Sequence, residues 1–427
     1  MKTEELYTLF KAGKGISTDT RKIESGTLFF AIKGDRFDGN KFAKDAIEKG
    51  AAYAVVDDPN LEKHPQYVFV QDTLEALQKL ARHHRRQFDI PVLAITGSNG
   101  KTTTKEILGA ILTQKYKAVV TEGNLNNHLG VPFTLLRLDE THEIAIVEMG
   151  ANKPGDIKEL VEIAEPTHGL ITNIGAAHIE GFGSIEGVIN TKKEMYDYLG
   201  THKGTIFFNT DDSVLRQIIP RNANLVGFGI DGIVKGMLTK QDPFVSFTWS
   251  TAEYDSPELN TNLVGQYNCT NFLLALCVGT YFEVEASVMN EAIVNYVPSN
   301  NRSQVTKTDR NTLIVDCYNA NPTSMKAALE SFNEMSDPSK LAILGDMLEL
   351  GNISEEAHQE VVDYINEHKI PTILVGKLMG KTEHKETLQF DSWEALKAGI
   401  NMDDISDNVI LLKGSRGIRL EKLIPFL

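Results

Sequence analysis

The sequence has few cysteines, no long hydrophobic run and a shortage of basic residues. Its three cysteines, Cys269, Cys277 and Cys317, lack CxxC spacing and are too few for a disulfide framework or a cysteine-ligated metal site, so we expect a reducing compartment. The longest apolar stretch, near residues 271–282, is far shorter than a membrane span, and the first residues lack a signal-peptide pattern. These absences predict a cytoplasmic protein that does not bind membranes.

Acidic residues outnumber basic ones by 58 to 43, which gives a formal net charge of −15. Such a surface repels polyanions, so we expect binding neither to nucleic acid nor to anionic membranes. An anionic small ligand would need cations placed locally around it. Hydrophobic residues make up 41% and charged residues 24%, as in ordinary globular proteins with real cores.

The length of 427 residues allows two to four domains, and the rhythm of apolar runs indicates three. We predict a small N-terminal α/β domain at 1–88, a central domain at 89–297 with a doubly wound, mainly parallel sheet, and a C-terminal Rossmann-like α/β domain at 298–427. The predicted strands are 27–32, 53–56, 92–96, 143–149, 169–174, 205–209, 312–316, 341–344, 372–375 and 408–412, with an antiparallel stretch within 227–251. The predicted helices are 41–49, 73–87, 103–114, 324–333 and 354–367.

The most informative segment is residues 94–104, AITGSNGKTTT, a glycine-rich turn between a buried strand and an amphipathic helix. Gly97 and Gly100 allow a tight turn whose N–H groups point at one anion, and the helix N-terminus adds a positive dipole. Lys101 would neutralise the outer phosphates and Thr102 would ligate Mg²⁺. The two glycines are three residues apart, so this is a shortened phosphate loop. The alternative is an ordinary strand-to-helix turn with an exposed lysine.

Two further polar residues follow predicted strands at the edge where parallel sheets bind ligands. Glu148 ends an apolar run and is a plausible Mg²⁺ ligand. His178 follows the next strand after a Gly-Ala-Ala turn, and neutral imidazole binds divalent metals. Taken alone, a glutamate at a strand end is more often solvated, and a lone histidine is usually structural.

Several segments, in this order along the chain, resemble the Mur ligase family of ATP-dependent amide-forming enzymes of peptidoglycan synthesis. Residues 96–103 (TGSNGKTT), 122–127 (EGNLNN), 148–150 (EMG) and 173–178 (NIGAAH) carry the resemblance in the central block. Residues 316–325 (DCYNANPTSM), 344–351 (LGDMLELG) and 413–416 (KGSR) extend it to the C-terminal block. The early segments 17–21, 29–34 and 37–39 are similar to the family's UDP-binding domain. The phosphate loop is shared with folylpolyglutamate synthetases, whereas the C-terminal motifs are more specific.

The resemblance implies ATP-dependent ligation of D-alanyl-D-alanine to UDP-N-acetylmuramoyl tripeptide through an acyl phosphate. It also implies two Mg²⁺ ions. Lys101, Thr102 and Glu148 would serve the first, and His178 with a carbamylated Lys192 would serve the second. Lys193 is the adjacent alternative to Lys192. Without the motif, Lys192 would be an ordinary solvated helix lysine.

The resemblance further assigns contacts to ATP and to the other substrates. The implied ATP-binding residues are Gly97, Ser98, Asn99, Gly100, Lys101, Thr102, Thr103, Asn268, Asn271, Arg302, Asp316, Asn319 and Asn321. The implied substrate-binding residues are Ser17, Thr18, Asp19, Arg21, Asn124, Asn126, Asn127, Lys413, Ser415 and Arg416. Tyr267 stands where the family segment GxHNxxN carries histidine, and without the resemblance Asp316 and the turn after it would be ordinary strand-end structure.

Two alternatives remain at this stage. Another ligase of the superfamily would add a diamino acid or glutamate, and a nucleotide-switched binding protein would turn ATP over slowly whatever the peptide acceptor. The sequence does not fix the third residue of the tripeptide. We expect a monomer whose third domain closes onto the second when ligands bind, since water would hydrolyse an acyl phosphate.

Overall fold

A computed structural model of the protein describes residues 1–34, 37–385 and 387–427. Its first region contains a parallel sheet in the order β1-β2-β5-β6 and a small antiparallel hairpin formed by β3 and β4. The strands are β1 (Ile16–Ser17), β2 (Leu28–Phe30), β3 (Lys33–Gly34), β4 (Phe37–Asp38), β5 (Tyr53–Val56) and β6 (Tyr67–Phe69). The helices are α1 (Thr3–Ala12), α2 (Ala43–Glu48) and α3 (Thr73–Arg85).

The central region is built on a parallel sheet in the order β12-β11-β10-β7-β9-β8. Its strands are β7 (Val92–Thr96), β8 (Ala118–Val120), β9 (Ile144–Glu148), β10 (His168–Ile171), β11 (Thr205–Asn209) and β12 (Asn224–Phe228). All five residues of β7 are buried, as expected of a strand covered on both faces. The strand order reverses beside β7, and doubly wound sheets bind ligands in the crevice at that point.

Helices cover both faces of the central sheet. They are α4 (Lys101–Leu112), α5 (Gly130–Leu135), α6 (Asp156–Ala164), α7 (Ile179–Phe182), α8 (Ile185–Thr201), α9 (Ser213–Ile218), α10 (Tyr267–Tyr281) and α11 (Ala286–Asn295). One core joins the sheet to α4, α10, α11 and the antiparallel strands β13 (Lys235–Lys240), β14 (Phe244–Ser250) and β15 (Leu259–Val264). The other face shares a core with α3, which packs on α5 and α6 and so joins the first region to the second.

The C-terminal region contains a sheet in the order β16-β17-β21-β18-β19-β20, antiparallel only between β16 and β17. Its strands are β16 (Gln304–Lys307), β17 (Thr312–Asp316), β18 (Lys340–Gly345), β19 (Thr372–Val375), β20 (Leu388–Phe390) and β21 (Val409–Lys413). Its helices are α12 (Pro322–Asn333), α13 (Ser354–Glu367) and α14 (Trp393–Gly399). Asn321 caps α12 and Pro322 occupies its first turn, a favoured start. The predicted three-part, mostly parallel α/β fold is confirmed.

Among the strands, the predictions failed mainly at sheet edges, and the helices that were not predicted are α1, α5, α6, α7, α8, α9, α10, α11 and α14. Strands β8, β12, β16 and β20 are the outermost strands of the two large sheets. Each buries few residues, so none shows a clear apolar run. The strand predicted at 169–174 ends at Ile171, because the next residues leave the sheet and bind the phosphate loop. The helix predicted at 103–114 begins two residues earlier, at Lys101.

Candidate active site

A cleft of about 710 Å³ lies where the C-terminal region meets the carboxyl ends of β7 and β9. Both regions contribute to its walls, as the sequence motifs predict for residues that share one site. The sequence-predicted residues that line it are Ser98, Asn99, Gly100, Lys101, Thr103, Asn124, Asn126, Asn127, Glu148, His178, Asn268, Asn271, Arg302, Asp316, Asn319 and Lys413. The arrangement therefore brings the predicted phosphate loop and the C-terminal motifs together.

The phosphate loop has the tight backbone that its glycines predict. Gly97 has φ 150° and Gly100 has φ 77°, both in the region that L side chains avoid. A Cβ atom on Gly97 would lie 1.9 Å from the Thr172 hydroxyl oxygen. The loop thus requires glycine there for space as well as for conformation.

Residues that follow β10 hold the phosphate loop in place through hydrogen bonds. The Asn99 N–H donates to Asn173 Oδ1 at 3.0 Å, and the Thr172 hydroxyl donates to the Asn99 carbonyl at 2.6 Å. The Ser98 hydroxyl donates to the Gly175 carbonyl at 2.9 Å. These bonds preorganise the loop before any anion arrives, which is how a binding site avoids an ordering cost.

Thr102 and Glu148 form the candidate metal position. The Thr102 hydroxyl donates to Glu148 Oε1 at 3.2 Å, and Asn126 Nδ2 donates to the same oxygen at 2.7 Å. Glu148 is 1% exposed, and its Oε2 has no hydrogen-bond partner within the part of the chain that the structure describes, although the buried Lys105 ammonium lies 3.8 Å from it. A buried carboxylate oxygen without a hydrogen bond, next to a hydroxyl, fits a Mg²⁺ ion that takes its other ligands from phosphate and water. No cluster of three or more His, Cys, Asp or Glu side chains suited to a metal occurs among the described residues.

Three basic side chains lie near one another beside this position. The Lys101 ammonium donates to the carbonyls of Gly97 and Ser98 at 2.6 and 3.1 Å, and burial lowers its pKa to about 8. Burial and the nearby Lys101 charge lower the pKa of Lys192 well below its usual value. Burial also lowers the pKa of His178, whose Nδ1 pairs with Glu349. Burial thus disfavours the charged form of each of these side chains, and a bound anion would favour it.

The predicted adenine-side amides lie next to the phosphate loop. Asn271 Nδ2 donates to Asn268 Oδ1 at 2.8 Å, and its own Oδ1 accepts from the Thr104 hydroxyl at 3.2 Å. A Cβ atom on Gly100 would lie 2.6 Å from Asn271 Oδ1. The asparagine pair and the loop are therefore packed as one unit.

Two residues of the C-terminal wall that are predicted to bind substrate have protein partners. Lys413 is 1% exposed and forms an ion pair with Asp316, its neighbour on the adjacent strand. Ser415 is buried and accepts a hydrogen bond from the Leu348 N–H at 2.9 Å. Their contacts with a substrate carboxylate therefore stay a prediction. Arg416 remains exposed, with its guanidinium carbon 5.6 Å from the Tyr318 ring centre.

Comparisons with known proteins identify the family of the chain. Sequence profiles of the Mur ligase family match three segments: the catalytic domain at 14–85, the middle domain at 95–279 and the glutamate ligase domain at 301–416. The UDP-N-acetylmuramoyl-tripeptide--D-alanyl-D-alanine ligase of Bacillus subtilis is 34% identical over 431 residues, which cover 96% of this chain and 92% of the relative. The chain belongs to the Mur ligase family.

Solved Mur ligases share the whole architecture. MurF from Acinetobacter baumannii has 30% identity and a TM-score of 0.88, covering 99% of this chain and 98% of that one. MurF ligase from Thermotoga maritima, solved in complex with ADP, has 26% identity and a TM-score of 0.87, covering 98% and 97%. These matches confirm the predicted fold, and the ADP complex supports the use of ATP.

The C-terminal region of this Mur ligase docks onto the phosphate loop directly. Asn321 Nδ2 donates to Asn99 Oδ1 at 2.7 Å, and the Ala176 N–H donates to the Thr323 hydroxyl at 3.3 Å. Sequence reasoning missed Thr323 and Glu349 as contact residues, although both lie in segments that carry the family resemblance. Their partners are far away in the chain, so spacing gives no signal for them.

The remaining predicted substrate residues either lie away from this cleft or form hydrogen bonds with residues close to them in the chain. Asp19 accepts from the Arg21 guanidinium at 2.8 Å, which holds the pKa of Asp19 well below its usual range. The Ser17 hydroxyl donates to the Asp19 carbonyl at 3.0 Å, and Thr18 is half-buried beside them. Asn127 Oδ1 accepts from the Gly130 N–H at 2.9 Å at the start of α5.

No helix among the described residues is long and apolar enough to cross a membrane.

Proposed function

We propose that this protein joins D-alanyl-D-alanine to UDP-N-acetylmuramoyl tripeptide at the expense of ATP, a step in peptidoglycan precursor synthesis. The observation that carries the proposal is the meeting of the phosphate loop, the Thr102–Glu148 pair and the C-terminal wall in one cleft. The names of the curated relatives and of the neighbouring structures support the substrates. We also infer domains at 1–88, 89–297 and 298–427.

The first step joins two anions, so charge neutralisation dominates it. The terminal carboxylate of the tripeptide attacks the γ-phosphorus of ATP, the bond to ADP breaks, and an acyl phosphate forms. Lys101 and the loop N–H groups hold the transferred phosphoryl group in line. Thr102 and Glu148 would hold a Mg²⁺ ion, which neutralises phosphate charge when bound.

The second step makes the amide. The free amine of D-alanyl-D-alanine attacks the activated carbonyl, and the tetrahedral intermediate expels phosphate. The docked C-terminal region, through the Asn99–Asn321 contact, keeps water from the acyl phosphate. We assign Arg416 to the dipeptide carboxylate, because its planar donors suit a two-point grip and because Lys413 is already paired with Asp316.

Lys192 is assigned a carbamate that supports a second Mg²⁺ ion together with His178. The lowered pKa of Lys192 raises the fraction of neutral amine, and a neutral amine attacks CO₂ to give a carbamate and a proton. The product carries a carboxylate-like group at the end of the long lysine side chain. Burial of the side chain, 3% exposed, shields it from hydrolysis.

The function is tested by the substrate requirements of ATP turnover. We expect ADP formation by the purified full-length chain only when UDP-N-acetylmuramoyl tripeptide and D-alanyl-D-alanine are both present. Replacing the dipeptide by a diamino acid or by glutamate tests the other ligases of the superfamily. Slow ADP formation that ignores every acceptor would contradict the proposal and favour a nucleotide switch.

A further inference from the structure

Arg302 lies in a backbone segment that is strained on both sides. Asn301 has φ 56° and Ser303 has φ 49°, so both neighbours of Arg302 occupy the left-handed region without being glycine. That conformation costs free energy and persists only where surrounding contacts enforce it, commonly at functional sites. The contacts that hold these residues therefore decide where Arg302 points.

Tyr267 holds the segment on its C-terminal side. The Tyr267 and Ser303 hydroxyls are hydrogen-bonded at 2.8 Å, and Ser303 is 6% exposed. Tyr267 begins α10, the helix that also carries Asn268 and Asn271. The strained serine is thus tied to the same turn that carries the asparagine pair beside the phosphate loop.

Glu106 holds the segment on its N-terminal side. Its carboxylate accepts from the Tyr296 hydroxyl at 2.7 Å and from Asn300 Nδ2 at 2.9 Å. Glu106 lies on α4, the helix that begins at Lys101. Both anchors of the segment therefore come from the two helices that build the nucleotide side of the cleft.

The guanidinium of Arg302 keeps donors available to the cleft. It stacks on the Tyr318 ring, with its carbon 3.7 Å from the ring centre. Its Nε is buried without a hydrogen-bond partner in the described part of the chain. Arg302 and Lys101 both line the cleft, so the two cations face the same space. A phosphate group there would satisfy both.

We propose that Tyr267 is a positioning residue that acts through Ser303 to aim Arg302 at the phosphates of the bound nucleotide. This inference rests on the proposed function of the cleft. A phenol reaches farther from the backbone than the imidazole of the family segment, so the hydroxyl contact with Ser303 belongs to the tyrosine. Glu106 fixes the other end of the same segment.

The first test compares nucleotide affinity in full-length variants. Titration calorimetry with Mg²⁺ and a non-hydrolysable ATP analogue should show about three- to tenfold weaker binding for Tyr267→Phe, which loses one hydrogen bond. Tyr116→Phe is the matched control, because its hydroxyl donates to the Phe282 carbonyl at the same 2.8 Å away from the cleft. Its affinity should not change. Unchanged affinity of Tyr267→Phe would overturn the proposal.

The second test separates positioning from a direct contact. In an Arg302→Ala background, Tyr267→Phe should weaken binding less than twofold further, because the tyrosine acts through the arginine. An equal loss in both backgrounds would overturn the proposal. Thermal melting of each variant checks that the fold is kept. Since the readout is affinity, a wild-type chain that binds the analogue but forms no amide would refute the proposed function alone.

Discussion

Two lysine sites in and beside the cleft differ in what balances their charge. Lys413 forms an ion pair with Asp316 on the neighbouring strand. Lys101 and Lys192 form no ion pair within the described residues, and burial lowers the pKa of each. An unbalanced buried cation costs stability, so its retention points to an anionic ligand or to a chemical role. The paired lysine needs only a structural explanation.

Removing the charge of Lys101 should strongly impair the transfer of the phosphoryl group. Lys101→Met should lower the rate of ADP formation with both substrates by about 10²- to 10³-fold, because the lysine stabilises charge on the transferred phosphoryl group. Lys115→Met is the matched control, since its ammonium also donates to two backbone carbonyls, at 3.1 and 2.9 Å, but outside the cleft. A loss of similar size in both variants would contradict a special role for Lys101.

Lys192 tests whether the second unbalanced lysine has a chemical role. Lys192→Ala should abolish ligation while keeping nucleotide affinity within a few fold, because the proposed carbamate acts on the second metal alone. Short carboxylic acids should restore part of the rate. Lys193→Ala is the control for the adjacent position, where the lysine is paired with Asp197 at the helix surface. Full activity of Lys192→Ala would disprove the carbamate.

The contrast between the lysines also shows what the sequence can predict. The phosphate loop is predictable because Gly97, Gly100 and Lys101 act within one turn whose geometry is local. Buried strands such as β7 are predictable because both of their faces are apolar, whereas the outermost strands bury too little to show a pattern. The pairing of Lys413 with Asp316 depends on which strands become neighbours. Spacing along the chain carries no information on that choice.

Removing the ion pair between Lys413 and Asp316 should lower the stability of the fold. Lys413→Met leaves the carboxylate of Asp316 without its partner, and we expect the free energy of unfolding to fall by about 3 kcal/mol. Adding Asp316→Asn should recover part of the loss, since it removes the uncompensated charge. Urea unfolding followed by circular dichroism measures both variants. If the Lys413→Met chain is as stable as the wild type, the ion pair with Asp316 does not stabilise the fold. The proposed difference between Lys413 and the lysines without an ion pair would then be wrong.

The smallest expected effect is a pH dependence of stability caused by Lys101. Its folded pKa of about 8 lies below the unfolded value of about 10.4, so between these values the unfolded chain binds more protons and the contribution of Lys101 to stability rises with pH. Below pH 8 the buried charge costs about 2 kcal/mol, allowing for its partial exposure to solvent. The Lys101→Met chain removes that cost.

Unfolding free energies of the wild type and of Lys101→Met, measured by urea from pH 7 to pH 10, isolate this contribution. We expect the wild type to gain stability relative to Lys101→Met by up to about 2 kcal/mol as the pH rises from 8 to 10. Titrating groups far from Lys101 cancel in the difference, whereas Lys192 and His178, whose pKa values the Lys101 charge lowers, also contribute to it. A difference that stays constant with pH would mean that the Lys101 ammonium is as well solvated in the folded chain as in the unfolded one, and its comparison with Lys413 would then lose its physical basis.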